Sequence, residues 1–230
     1  RWKKINFFTK FLFEKFDIAF PQNHETQKYL KKLGVKKIKL LGNLKFSEIE
    51  AKVNNNFKKN LINFLSSKKI WCAASTHNTE ENICAMAHLK LKKKYKNLLT
   101  IIIPRHIQRV DKINEQIKEL GLSIHNHSSN EKIDKKTEIY LVDTYGETKS
   151  FFKICKTVFL GGSLIRHGGQ NPLEAARFGS KVIHGPFTEN FTEIYKLLAI
   201  NNLSFKINNL NQLTKLLNKS FNENFNTSRK

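Results

Sequence analysis

Residues 161–179, GGSLIRHGGQNPLEAARFG, concentrate residue types that hold an anion. Two glycine pairs, Gly161 with Gly162 and Gly168 with Gly169, allow a sharp turn and a close backbone approach where a Cβ would obstruct. Asn171 is a favourable helix N-cap, Pro172 suits the first helical position, and Glu174 stands three residues after the cap. A helix beginning there turns free N–H groups and the positive end of its dipole toward negative charge. Glu174 has two readings. It is either a capping-box carboxylate bonding back to Asn171 or an acceptor for ribose hydroxyls. The second glycine pair, which a plain cap does not require, favours the ligand. The spacing is not GxGxxG, and GxxxxGK[ST] is absent, so a dinucleotide site and a P-loop are poorly supported.

Arg105 directly follows an apolar run, where a guanidinium aims into a crevice more readily than it floats on the surface, and phosphate is its natural partner. His77 and His106 orient a ligand or simply cap and fill. Glu147 after Gly146 binds ligand or opens a short helix. The four aspartates, Asp17, Asp111, Asp134 and Asp143, never lie within two positions of one another, so a DxD metal–phosphate motif is missing. His125 and His127, in a polar loop without further ligands, read as solvated rather than metal-binding. There is no GxSxG elbow and no cysteine with a placed histidine, which removes hydrolase readings. Cys72, Cys84 and Cys155 are odd in number and widely spaced, and they read as reduced, core-packed thiols.

The elements that must position these residues follow from hydrophobic periodicity. An amphipathic helix is predicted over 5–16, with Phe8, Phe11, Leu12 and Phe16 on one face. Then come a strand at 18–20, a helix at 24–33 stopped by Gly34, a strand at 38–41 and a polar helical stretch over 47–65 that marks a domain boundary. Beyond it strands at 70–74, 98–103, 122–124, 139–142, 157–160 and 181–183 alternate with helices at 80–95, 109–120, 148–154 and 172–178. Apolar strands joined by helices imply a parallel sheet covered on both faces. In such a sheet a ligand lies beyond the carboxyl ends of the strands. His77, Arg105, His106, Asp143, Glu147, Gly161 and His184 all fall there. The tail, 223–230, is polar and is expected to fray.

The 230 residues can bury a real core, and 40% hydrophobic with 26% charged residues is ordinary globular composition. The net charge of +22 comes from 35 lysines and only six arginines. Base and phosphate recognition favours arginine, so a solvated lysine surface is the first reading, attraction to anionic lipid the second and specific nucleic-acid binding the third. No stretch approaches the roughly 18 apolar residues of a membrane span. A chain that opens on Arg1 and whose only methionine is Met86 is expected to be a fragment.

Taken in order, GNLKF at 42–46, AASTHNTEE at 73–81, IIIPRH at 101–106, DTYGE at 143–147 and the 161–179 run resemble one family over nearly the whole chain. It is the 3-deoxy-D-manno-octulosonic acid (Kdo) transferases of lipopolysaccharide synthesis. The resemblance implies an α/β, GT-B glycosyltransferase fold. Residues 1–45 would be the tail of a Rossmann-like acceptor domain with its linker, and 46–222 a Rossmann-like C-terminal domain with a parallel sheet that binds the CMP-sugar. It implies a CMP-Kdo donor, a lipid A precursor as acceptor, no cofactor or metal, no nucleic acid, and inverting transfer at the cytoplasmic face of the bacterial inner membrane beside an anionic lipid surface. Carried over by motif, the CMP-binding positions are Pro104 and Arg105, then Gly146, Glu147 and Thr148, then Asn171, Pro172, Leu173 and Glu174. Lys45 matches a lysine that stabilises the transition state. The family's general-base glutamate is expected to precede Arg1, leaving this chain inactive alone. The alternative is a GT-B transferase or epimerase that uses a UDP-sugar.

Overall fold

The structure, a computed structural model, describes residues 6–21, 24–40 and 57–222. The chain divides into two compact units, Arg1–Lys52 and Val53–Lys230. The predicted elements and motifs at 41–56, GNLKF and Lys45 among them, lie outside the described residues.

In the first unit helix α1 (Asn6–Phe13) precedes helix α2 (His24–Lys32), and Ala19 and Ile38 form a parallel bridge. The predicted strands at 18–20 and 38–41 thus reduce to a single pairing. Helix α1 ends three residues earlier than periodicity suggests. Phe8, Phe11, Leu12 and Phe16 are exposed while Thr9 is fully buried, so the expected apolar stripe is not the side that packs.

The second unit is a seven-stranded sheet: β1 (Lys69–Thr76), β2 (Leu98–Pro104), β3 (Ile124–Asn126), β4 (Ile139–Leu141), β5 (Thr157–Leu160), β6 (Lys181–His184) and β7 (Ser204–Lys206). Their order is β3-β4-β2-β1-β5-β6-β7, and every pairing is parallel. Side chains alternate across the sheet. Trp71 and Ala73 join a core with Cys84 and Leu91 of α4 (Glu80–Leu91), Ile113 and Ile117 of α5 (Val110–Glu119), and Leu213 and Leu217 of α9 (Leu210–Asn222). Cys72 and Ala74 join the opposite core. There they meet Leu61 and Leu65 of α3 (Lys59–Ser66), Phe151 and Phe152 of α6 (Thr148–Ile154), Ala175 of α7 (Leu173–Arg177) and Tyr195 of α8 (Thr192–Ile200). The result is the predicted three-layer α/β arrangement, and the three cysteines are free and buried within it.

The chain leaves β1 toward β2 on one side and later returns to β5 on the other. That reversal makes the gap between β1 and β5 a topological switch point, where open α/β sheets hold ligands.

Three differences from the pattern-based expectation stand out. Strand β3 begins two residues late because Leu122, following Gly121, donates its N–H to Ile117 O at 3.3 Å and drops into the core instead of pairing. Helix α4 ends at Leu91 rather than 95. Elements α8, β7 and α9 had no predicted counterpart; asparagines at 201–202, 208–209 and 211 interrupt the apolar pattern around β7 and at the start of α9. Yet α9 carries its own signal: Leu210, Leu213 and Leu217 recur at helical spacing. Asn209 Oδ1 accepts the Gln212 N–H at 3.0 Å while Gln212 Oε1 accepts the Asn208 N–H at 2.7 Å, a reciprocal N-terminal cap. Among the described residues no helix is long and apolar enough to cross a membrane.

Phe159, fully buried on the interior strand β5, tests this packing. Phe159→Ala is expected to lower unfolding free energy by roughly 3–5 kcal/mol in urea titration. Ile200→Ala, at an 80% exposed position, should stay within about 0.5 kcal/mol.

Candidate functional site

Glu80, the first residue of α4, is fully buried at the switch point. Its Oε2 accepts N–H groups from His77 at 2.9 Å and Gly162 at 2.7 Å, and its Oε1 accepts those of Ser163 at 3.2 Å and Leu164 at 3.0 Å. Burial pushes its carboxyl pKa up, and the four amides pull it back. Four donors with no acceptor suit the ionised form. One carboxylate therefore joins the loop after β1 to the loop after β5.

The same junction explains Gly161. A Cβ there would lie 2.4 Å from Ser75 O and 2.5 Å from Thr76 Cα, so any side chain would force β5 away from β1. Ser163 extends the tie to β6: its Oγ donates to Leu160 O and accepts the Gly185 N–H at 2.8 Å, while its carbonyl accepts the Phe187 N–H at 2.9 Å.

These contacts revise the anion-loop reading. The amides after the first glycine pair are taken by Glu80 and are closed to a ligand. The second pair, at φ +94° and +75°, makes its close approaches to Asn190 and to residues 187–188. Internal packing, not a ligand, accounts for it.

The α7 turn resolves the two readings of Glu174. Asn171 Oδ1 accepts the Leu173 N–H at 3.1 Å, and Pro172 has helical angles, φ −81° and ψ −12°. The cap is Asn171 alone. Glu174 makes no hydrogen bond or ion pair among the described residues, so the capping-box bond is not formed and a half-buried carboxylate remains available.

The other motif positions gather on the same edge. Pro104 is buried at the end of β2, and the Arg105 N–H donates to Thr76 O at 2.9 Å, which holds the loop against β1. The Arg105 guanidinium is exposed and has no ion pair among the described residues. Gly146 takes φ +91°, and Glu147 and Thr148 open α6. These positions follow β4, β2 and β5, which with β1 form four adjacent strands, an edge roughly 15 Å wide.

Three imidazoles line the centre. The His77 ring lies 4.2 Å from that of His167 and 5.8 Å from that of His106, centroid to centroid. Burial first, then the charge of His167, lowers the His77 pKa from 6.5 to about 4. His125 and His127, expected to be solvated, instead pack on Tyr140: His125 stacks on its ring, and His127 Nδ1 lies 2.8 Å from its hydroxyl. Asp143, at the end of β4, accepts the Ser128 N–H at 2.8 Å and serves as a loop anchor.

Glu80 is the residue that motif reasoning passed over. An acid in the first turn of a helix, directly after a strand and facing a glycine turn, was its available signal.

A family model described as 3-deoxy-D-manno-octulosonic-acid transferase (kdotransferase) matches residues 1–48. The 3-deoxy-D-manno-octulosonic acid transferase of Haemophilus influenzae is 33% identical over 205 residues, covering 86% of this chain and 47% of its own length. That of Rickettsia prowazekii is 33% identical over 221 residues, covering 94% and 48%. The chain belongs to the Kdo transferase family. It spans about half the length of these relatives. The solved C-terminal CMP-Kdo binding domain of WaaA from Acinetobacter baumannii is 28% identical, with a TM-score of 0.64 over 68% of this chain and 81% of that one. At 16% identity and a TM-score of 0.53, a Staphylococcus aureus MnaA–UDP structure shares the fold, covering 90% of this chain and 52% of that one. The expected GT-B, Rossmann-like architecture is thus met by this Kdo transferase family member.

Two outcomes follow for the junction. Glu80→Gln turns an amide NH₂ against backbone donors and should cost on the order of 3 kcal/mol or more in denaturant titration. Separately, His77 and the fully buried His88 each fall from 6.5 to about 4, His88 chiefly by burial. Their stabilising effect is complete above about pH 6.5. Below it the unfolded chain takes up protons that the folded chain refuses, so stability should fall as pH drops toward 4. Urea midpoints between pH 7 and 5, above most carboxylate titration, check this, and a flat profile contradicts it.

Proposed function

We propose that this chain provides the donor site of a glycosyltransferase that moves Kdo from CMP-Kdo to a lipid A precursor. The observation that carries the reading is the pairing of an exposed, unpaired Arg105 with the Asn171-capped α7 turn and its free Glu174 on one sheet edge. Phosphate fits the guanidinium and the helix start, while ribose hydroxyls fit the Glu174 carboxylate. Gly146, Glu147 and Thr148 offer backbone to the base from the neighbouring β4 loop. The similar Acinetobacter baumannii domain, a CMP-Kdo binding domain, agrees with this choice of nucleotide.

Cleavage of the bond from Kdo to CMP leaves positive character on the sugar and added negative charge on the departing phosphate. The Arg105 backbone, bonded to Thr76, and the Asn171-capped helix start stand on this edge before that charge develops, and groups whose contacts strengthen with the charge favour the transition state over the ground state. The family resemblance assigns Lys45 the same task. As the family resemblance implies, transfer proceeds without a metal ion and with inversion at the sugar; a single phosphate, met by Arg105 and the helix start, suits a metal-free site. The acceptor is lipid, and the 35 lysines suit an anionic surface at the cytoplasmic face of the inner membrane.

Isothermal calorimetry with CMP, UDP and GDP tests the reading. CMP should bind in preference to the others, and Arg105→Ala should weaken it roughly 10- to 100-fold, the loss of a charge-assisted contact. Equal affinity for all three nucleotides, or indifference to Arg105→Ala, would contradict it.

A further inference from the structure

Of the buried polar atoms without a partner, which on this edge also include the Thr76 and Thr144 hydroxyls, Nε2 of His77 is the ring nitrogen at its centre. The residue is only 7% exposed. Its other ring nitrogen, Nδ1, lies 3.1 Å from the Ser75 carbonyl oxygen and 3.9 Å from the Glu80 carboxylate. A carbonyl oxygen only accepts, so Nδ1 carries the proton and Nε2 presents a bare lone pair. Ser75 itself holds φ 54°, a left-handed position that serine adopts at a cost and that tends to accompany functional loops.

The neighbours do not satisfy this lone pair. The His167 ring is tilted by 47° against His77 and the His106 ring stands edge-on at 87°; neither is hydrogen-bonded to it. The low pKa, about 4, keeps Nε2 an acceptor at neutral pH. A phosphate or carboxylate is repelled by a lone pair; a hydroxyl is its complement. Packing alone would be served by an apolar ring, with no buried acceptor left over.

We propose that His77 is a further binding residue of this site, its Nε2 accepting a hydrogen bond from a hydroxyl of the nucleotide-sugar donor when the exposed His167 ring turns aside. The inference rests on the reading of the site as one for a nucleotide sugar. The hydroxyl belongs either to the ribose or to the transferred sugar.

Two-bond proton–nitrogen spectra of the full chain carrying ¹⁵N-histidine, titrated with CMP, CMP-Kdo, UDP and UDP-N-acetylglucosamine, test it. His77 is expected as the Nδ1–H tautomer, with its Nε2 resonance moving upfield on saturation while Nδ1 stays. Movement with CMP assigns the ribose, and movement with CMP-Kdo alone assigns the sugar. His77→Ala should weaken the ligand that moves the signal roughly three- to tenfold, the loss of one neutral hydrogen bond. Movement with the uridine nucleotides alone keeps the role of His77 and overturns the cytidine reading. A protonated Nε2 in the free protein, or a signal that none of the four ligands moves, overturns the inference.

Discussion

One buried carboxylate, Glu80, receives four backbone N–H groups from two loops that are more than 80 residues apart in sequence. Those loops leave β1 and β5 at the point where the sheet changes direction. Without the carboxylate, amides that point at one another would be buried unpaired, at about 1–3 kcal/mol each. With it, the ends of β1 and β5 are locked side by side and, through Ser163, β6 is locked to them. The placement of Arg105 depends on this junction too, since its backbone is bonded to Thr76.

The junction also divides the anion-binding capacity of this edge. A glycine turn between a strand and a helix invites the assumption that its amides cradle phosphate. In this fold the first set of amides already holds an anion, and that anion is internal. Binding capacity moves to Arg105 on one side and to the α7 turn on the other. His77 stands between them with its proton on the inward-facing nitrogen.

Legibility in the sequence tracked the range of the interactions involved. Apolar runs such as 98–103 and 157–160 announced buried parallel strands, because fully covered strands need no polar alternation. The Asn171 cap was readable because capping is local in sequence. Glu80 and Gly161 were not, since their reasons lie across the sheet: a Cβ at Gly161 meets Ser75 and Thr76. The second glycine pair misled for the same cause, with Asn190 and the 187–188 backbone as its hidden neighbours. Helix α9 was missed for a different reason. Its polar positions are mostly asparagine, lysine and threonine, so the leucine period sits inside what looks like loop composition.

A crystal structure of the chain with CMP bound most directly tests whether Glu80 shapes the site without contacting ligand. The phosphate should lie against Arg105 and the start of α7, with the N–H groups of Gly162, Ser163 and Leu164 still bonded to Glu80. A phosphate seated on those three amides, with the Glu80 carboxylate displaced, would contradict the account.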